Sequence, residues 1–222
     1  MKKKIWFPIA FALIVTTLAL VITSNDQFID QPEFVTEATH PTLSSHGNYE
    51  RLFKNVEEIY QFSDLVAEIT VTDQESLEGD VPTAVQTRSA VQVNKVYKGS
   101  PDLKSIVITE SGGITDLSKI KKSFDTSNQN QGLVEITPEG SPVIKPQNTY
   151  LVFLKDTKDA YWGYTISGSI QGKIRLNESN MKGVITVQKD EYEKSKDLFF
   201  LQRDYAGKDK TELESKLSKL KQ

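Results

Sequence analysis

The chain contains no cysteine. Disulfide staples, thiolate nucleophiles, zinc–cysteine sites and a lipid-modified cysteine anchor are therefore excluded. Histidine is almost as scarce, with only His40 and His46 present, both in a stretch without clear periodicity. A Ser-His-Asp or Cys-His arrangement inside a folded domain cannot be assembled from that inventory. Positive charge is in short supply too: 27 basic residues face 30 acidic ones, for a net charge of −3. Three of the basic residues are Lys2, Lys3 and Lys4, so the remainder carries about −6. Such a domain repels polyanions on average, and nucleic-acid binding, which needs clustered Lys and Arg on phosphates, is not expected.

Several chemical signatures are missing as well. Ser111 precedes Gly112-Gly113 but lacks the G-x-S-x-G frame of a nucleophile turn. The acidic stretch with Asp73, Glu75, Glu78 and Asp80 lacks the D-x-D-x-D-G spacing of a calcium loop. Gly163, Gly168 and Gly172 fall within strand-like sequence and do not precede a helix, so they make no phosphate cradle. No catalytic set, metal site or cofactor site is expected. Glu68, Glu110 and Glu135 lie near strands, and for Glu68 the alternation predicts a solvated acid on the outward face.

What is present begins with an uncharged run. Ile5 to Thr23 follows the three lysines without a single charge. As a helix it spans roughly 28 Å, close to the hydrocarbon thickness of a bilayer. The lysines stay inside by the positive-inside rule, which places everything after Thr23 outside. Residues 1–24 thus read as a signal-anchor or transmembrane segment, because Leu20-Val21-Ile22-Thr23-Ser24 lacks a good Ala-x-Ala cleavage pattern. Secretion after signal cleavage is the alternative. Residues 25–48, with Pro32, Pro41, Gly47 and scattered acids, read as a flexible spacer. Its two histidines are expected to be solvated, a weak His-x5-His metal site being the alternative.

Residues 49–205 read as one mainly β domain. Leu52, Phe53, Val56, Ile59, Tyr60 and Phe62 recur at helical spacing over 49–62. Leu65, Ala67, Ile69 and Val71 then alternate as in a half-buried strand. A second strand is clearest over 90–97 and a third over 105–109. Residues 114–148 read as a long irregular loop, with the polar run 123–131 and Pro138, Gly140, Pro142 and Pro146. Thr149 to Leu154 is apolar on both faces, as a doubly covered central strand requires. Strands over 161–170, 171–176 and 184–187 follow, then a helix over 190–203 with Asp190 as cap. Residues 206–222 form a terminal helix, opened by the capping box Thr211-Glu212-Leu213-Glu214, with Glu212–Lys216 as an i,i+4 pair. Its narrow stripe of Leu213, Leu217 and Leu220 predicts weak docking or fraying.

Many short strands with glycine bends suggest a small barrel with flanking helices. The order Ser63-Asp64-Leu65-Val66, Val91-Gln92-Val93-Asn94-Lys95-Val96-Tyr97-Lys98-Gly99, Gly112-Gly113 and Tyr150-Leu151-Val152-Phe153-Leu154 sharpens this. It resembles uncharacterised exported proteins of Gram-positive bacteria with an OB-like barrel, distantly similar to the netrin-like and metalloproteinase-inhibitor barrels. The likeness covers roughly residues 49–190 and rests on structural motifs, so it carries over no reacting group. The cysteine-anchored wedge of the metalloproteinase inhibitors is absent.

Tyr161, Trp162 and Tyr164 are the candidate ligand-binding residues, since aromatic platforms on such barrels stack sugars or bases. By alternation Trp162, Tyr164 and Ile166 share a face, for which core packing is the competing reading, and Tyr161 points the other way. The resulting expectation is a non-catalytic, membrane-tethered module that meets an extracellular protein or cell-wall ligand. An extracellular carboxylate-based hydrolase and an accessory subunit of an envelope complex are the alternatives.

Overall fold

The computed structural model describes residues 32–47, 51–79, 84–120 and 132–221. Residues 1–24, where an anchor is expected, and the polar run 123–131 lie outside them. Among the described residues no helix is long and apolar enough to cross a membrane.

The elements in chain order are β1 (Thr42–Ser45), α1 (Val56–Phe62), β2 (Leu65–Leu77), β3 (Gln86–Lys98), β4 (Ser105–Ser111), β5 (Gly113–Asp116), β6 (Leu133–Pro138), β7 (Thr149–Asp156), β8 (Tyr164–Ile166), β9 (Lys173–Leu176), β10 (Gly183–Val184), α2 (Lys189–Lys194), α3 (Phe200–Tyr205) and α4 (Lys210–Leu220). The fold is mainly β and its centre is a closed five-stranded barrel. Around it, β7 pairs with β2, β2 with β3 and β3 with β4, all antiparallel. A parallel pairing joins β4 to β8, and β8 returns antiparallel to β7. Register shifts at Val66/Ala67, Glu68/Ile69 and Val71/Asp73 bend the long β2–β3 ribbon, the local kink that helps a sheet curl on itself.

Alternation explains the barrel interior. Leu65, Ala67, Ile69 and Val71 from β2 meet Val91 and Val93 from β3, Ile108 from β4, Tyr150, Val152 and Leu154 from β7, and Ile166 from β8. The opposite faces of β2 and β7 are not solvated. Val66, Leu151 and Phe153 pack under Val56, Ile59 and Tyr60 of α1, Phe200 and Leu201 of α3, and Leu213 and Leu217 of α4. The apolar run of β7 is therefore covered on both sides, as its sequence predicts.

Four expectations need correction. Residues 33–47 are a strap laid on the domain, not a free spacer. Phe34 bridges Ile185, β1 pairs parallel with β6, and Glu37 is buried. Backbone pairing and a buried carboxylate outweigh the coil-forming composition. The stretch 114–148 is likewise structured where it is described. β5 and β6 pair antiparallel and with β1 make a second, three-stranded sheet over Val85, Val134 and Ile136. The helix over 190–203 is broken into α2, a 3-10 turn at Lys196–Phe199, and α3, and Gln188 rather than Asp190 precedes its first turn. The strand over 161–170 contracts to three residues, because Gly163 and Gly168 both take positive φ.

The C-terminal helix docks firmly. Leu213 and Leu217 are buried, and Asp209, not Thr211, is the cap, accepting from the Thr211 amide. Lys216 pairs with Glu57 of α1 instead of Glu212.

Candidate functional site

The segment joining β7 to β8 is built as a rigid tip. Asp159 Oδ1 accepts from the amides of Tyr161 at 2.8 Å and Trp162 at 3.3 Å. The Thr157 amide donates to Gly163 O at 3.0 Å, and the Gly163 amide to Asp159 O at 2.8 Å. Gly163 takes φ +64°, and a Cβ there would collide with the carbonyl oxygen of Val107. Gly163→Ala should therefore shift the tip and lower stability by about 1–3 kcal/mol. Chemical denaturation together with near-UV dichroism of the tip aromatics measures both effects, and a variant with unchanged spectrum and midpoint would contradict this account.

Tyr161 is half exposed at the tip, and its ring meets that of Trp162 edge-on at 4.8 Å. The Arg88 guanidinium lies 4.4 Å from the centroid of the Tyr161 ring, within the range of a cation–π contact. It also donates through Nε to Tyr161 O at 2.9 Å and through Nη1 to Glu75 Oε1 at 2.8 Å. Thr109 Oγ1 donates to Trp162 O at 2.8 Å. Tyr164 packs inward against the barrel core beside Ile166, so the core reading holds for that residue and it is not part of an exposed platform. Trp162 is half-buried in the turn, outside the strand whose alternation placed it.

Through Arg88 and Thr109 the tip rests on a row of cross-strand neighbours. Lys155 stands opposite Thr165, Thr165 opposite Thr109, Thr109 opposite Arg88, and Arg88 opposite Glu75. Register neighbours share a face, so these five side chains cross the outside of the barrel in line. A groove of about 340 Å³ takes in Lys155, Thr165 and Thr109 of this row, with Gln86, Glu110, Ser111, Ser167 and Ser169 on its walls and Arg51, Phe53 and Phe62 at the far side. Sequence reasoning did not find Arg51, Arg88, Lys155 or the threonines. Arg88, Lys155 and the threonines are unremarkable polar residues until strand register brings them into line, and Arg51 until it meets the rings of Phe53 and Phe62.

A second constellation lies inside the molecule. Lys173 Nζ donates to Glu110 Oε1 at 2.7 Å and to Pro142 O at 2.6 Å, and the Ile144 amide donates to Glu110 Oε2 at 3.0 Å. Lys145 Nζ reaches Glu135 Oε1 at 2.5 Å. The Tyr150 hydroxyl donates to Glu37 Oε1 at 2.7 Å and accepts from the Lys145 amide at 2.9 Å, while Arg175 lies 3.3 Å from the same carboxylate oxygen. Burial pushes the Glu37 carboxyl above its ordinary range, against the opposing pull of Tyr150 and Arg175. Burial likewise drives the Tyr150 hydroxyl up, reinforced by the Glu37 charge. Glu110 and Glu135, which the sequence places only near strands, are buried, and Glu68 is not the solvated acid that its alternation predicts. That residue is buried under α4 and receives Lys210 Nζ at 2.7 Å. Each of these acids is bound by a cation of the same chain, and burial of such pairs demands partners on both sides.

No protein-family model matches this chain, and no curated protein matches it as a relative.

The histidines sit on the strap, His40 beside Thr39 at 2.9 Å and His46 against Glu139 at 2.7 Å. Among the described residues, no group of three or more metal-ligating side chains comes together.

Proposed function

We propose that this chain is a non-catalytic binding module, held at the outer face of a cytoplasmic membrane by its first two dozen residues. It presents an OB-like barrel to an extracellular protein or a cell-wall ligand. One observation carries the reading: an exposed Tyr161–Trp162 pair, braced by Arg88, is tied through the Thr109 hydroxyl to a groove on the outer barrel wall that Thr109 also lines. Tyr, Trp and Arg are the side chains that most often dominate binding surfaces.

Topology supports the OB-like assignment. The spatial order β7-β2-β3-β4 is that of a Greek key, with β8 as the fifth strand of the barrel. The groove touches the second and third barrel strands, and the tip is the connection between the fourth and fifth. Those are the strands and one of the two loops through which OB barrels take oligosaccharides and oligonucleotides. Nucleic acid is disfavoured here by the acidic balance of the chain. The membrane tether rests on the uncharged run behind three lysines. A hydrolase needs carboxylates free to act in a cleft, and Glu68, Glu110 and Glu135 are each engaged by a lysine. The reading as an accessory subunit assigns docking to the terminal helix, but Leu213 and Leu217 of α4 are already spent on the chain's own core.

The test is crosslinking with mass spectrometry on intact cells, comparing the native chain with Tyr161→Ala/Trp162→Ala. Capture of the ligand should fall at least about tenfold, since truncated aromatic anchors each contribute on the order of 2 kcal/mol, with thermal stability nearly preserved. Undiminished capture by the double variant would overturn the assignment of the site.

A further inference from the structure

We propose that the groove beside the aromatic tip takes an anionic carbohydrate segment, and that Arg51 is the residue that meets its acidic group. The inference rests on the reading of the chain as a binding module and names the ligand class of that same site.

The charges around the groove single out Arg51. Lys155 is engaged by Asp64 Oδ1 at 3.1 Å and by Phe62 O at 3.3 Å. Arg88 is held by Glu75, and Lys173, behind the wall, is held by Glu110. Arg51 makes no ion pair among the described residues. Its guanidinium instead lies 5.2 Å from the ring centroid of Phe53 and 5.1 Å from that of Phe62. Those rings are 5.1 Å apart and tilted against each other, so they brace the guanidinium between two aromatic neighbours. A guanidinium restrained in this way gives up less freedom on binding, and its N–H fork suits the two oxygens of a carboxylate or phosphate.

The rest of the wall selects among anions. Gln86, Thr109, Ser111, Thr165 and Ser169 line it with hydroxyl and amide groups that complement a ligand dense in hydroxyls, and the one lining carboxylate, Glu110, is neutralised by Lys173 and held by the Ile144 amide. The apolar part of the lining is Phe53, Phe62 and Ile166, on which the C–H face of a sugar ring can pack. The volume of about 340 Å³ is at the small end for ligand pockets, which suits one or two sugar rings. Further rings would leave the groove past Thr165 and Thr109, whose hydroxyl is bonded to Trp162 O of the tip. The net negative charge of the chain opposes long polyanions at a distance. A short acidic segment bound weakly and lost in salt is the expected behaviour.

The experiment uses the full-length chain in nonionic detergent. Isothermal titration is paired with fluorescence in a Trp6→Phe background, where Trp162 is the remaining tryptophan. The probes are trigalacturonic acid, a glycerol-phosphate trimer, neutral maltotriose and hexaglutamate. Trigalacturonic acid should bind with a Kd of roughly 0.1 mM, perturb Trp162 and weaken in high salt. Maltotriose should bind at least about tenfold more weakly, and Arg51→Gln should lower affinity for the acidic sugar by about tenfold at an unchanged melting temperature. Arg51→Lys should fall between the two, because the ammonium keeps the charge but not the fork. If the glycerol-phosphate trimer binds in place of the uronate with the same dependence on Arg51, the proposal stands and the acidic group is a phosphate. Equal binding of maltotriose, tighter binding of hexaglutamate, indifference to Arg51→Gln, or no binding of either acidic polyol below roughly 5 mM would each overturn it. A cellular ligand that Arg51→Gln still captures but Tyr161→Ala/Trp162→Ala does not would leave the binding module standing and remove only this inference.

Discussion

A chain that begins at residue 48 is expected to melt roughly 10 °C below one that begins at residue 32, a loss of about 3–5 kcal/mol for a domain of this size. The sixteen residues between those starting points carry three sets of contacts. β1 pairs with β6 from Thr42↔Glu135 to Ser45↔Pro138. The Val35 amide donates to Ile185 O at 2.8 Å, and the Ile185 amide to Glu33 O at 2.9 Å. Glu37 receives Tyr150, Asn148 and Arg175. Removing the strap strips the Tyr150 hydroxyl of its acceptor and bares the edge of β6, each with a penalty of about 1–3 kcal/mol. A free spacer would give equal melting curves, and that result would refute the strap. The contribution also has a sign in pH. Because the Glu37 carboxyl is raised in the folded state, the folded chain binds more protons than the unfolded one as pH climbs from 4.5. Stability from the strap is therefore greatest in acid and declines upward through that window. Glu37→Gln, which cannot ionise, should flatten the decline.

Lys173→Met should destabilise the domain by about 3–5 kcal/mol, because it leaves the Glu110 carboxylate buried without its cation. Both side chains are almost fully enclosed, with relative exposures of 5% and 3%. The pair also ties β9 to β4 and, through Pro142 O and the Ile144 amide, pins the segment leading into β7. Replacing both partners by methionine removes the two desolvation penalties together. Glu110→Met/Lys173→Met should recover most of the loss, since apolar pairs of similar volume often equal or exceed a buried ion pair. The measurement is a double-mutant cycle by urea denaturation. A coupling near zero, or a single variant as stable as the native chain, would show that the pair is not the internal brace described above.

The legible strands were those whose covering is simple. The alternation of Leu65, Ala67, Ile69 and Val71 names the inner face of β2, and the unbroken run Tyr150 to Leu154 names a strand buried twice. The inner face is a local property, because the pleat alone sends alternate side chains to opposite sides. Glu68 shows where local reasoning stops. Its outward direction is correct, but outward from β2 leads under α4, where Lys210 meets it. Nothing within several residues of Glu68 reveals that a helix some 140 positions later will cover it. Glu110 and Glu135 were placed near strands without their partners for the same reason, their lysines arriving from β9 and from the segment before β7. The strap was misjudged because prolines and acids describe an unpaired chain well, and β1 acquires its partner only when β6 is in place.

The candidate site divides along the same line. Tyr161 was recognisable as an exposed aromatic, and Tyr164 as a side chain sharing the face of Ile166. The turn that presents Tyr161 depends on Gly163, and the glycine was visible in the sequence although its left-handed conformation was not. Arg88 and Thr109 joined the site through a β3–β4 register that no local pattern specifies, and Arg51 through an aromatic corner formed by Phe53 and Phe62.

Taken alone, the amino-acid sequence determined the mainly β character, the inner faces of the long strands, the doubly buried β7 and the absence of thiol chemistry. All of these follow from residue type and short-range periodicity. Only the tertiary structure decided the closure of the barrel through β4 and β8, the docking of the strap, and the pairing of each internal acid with its lysine or arginine. Those contacts join residues from ten to more than a hundred positions apart, and their stability comes from desolvation and hydrogen bonding that exist only once the partner has arrived.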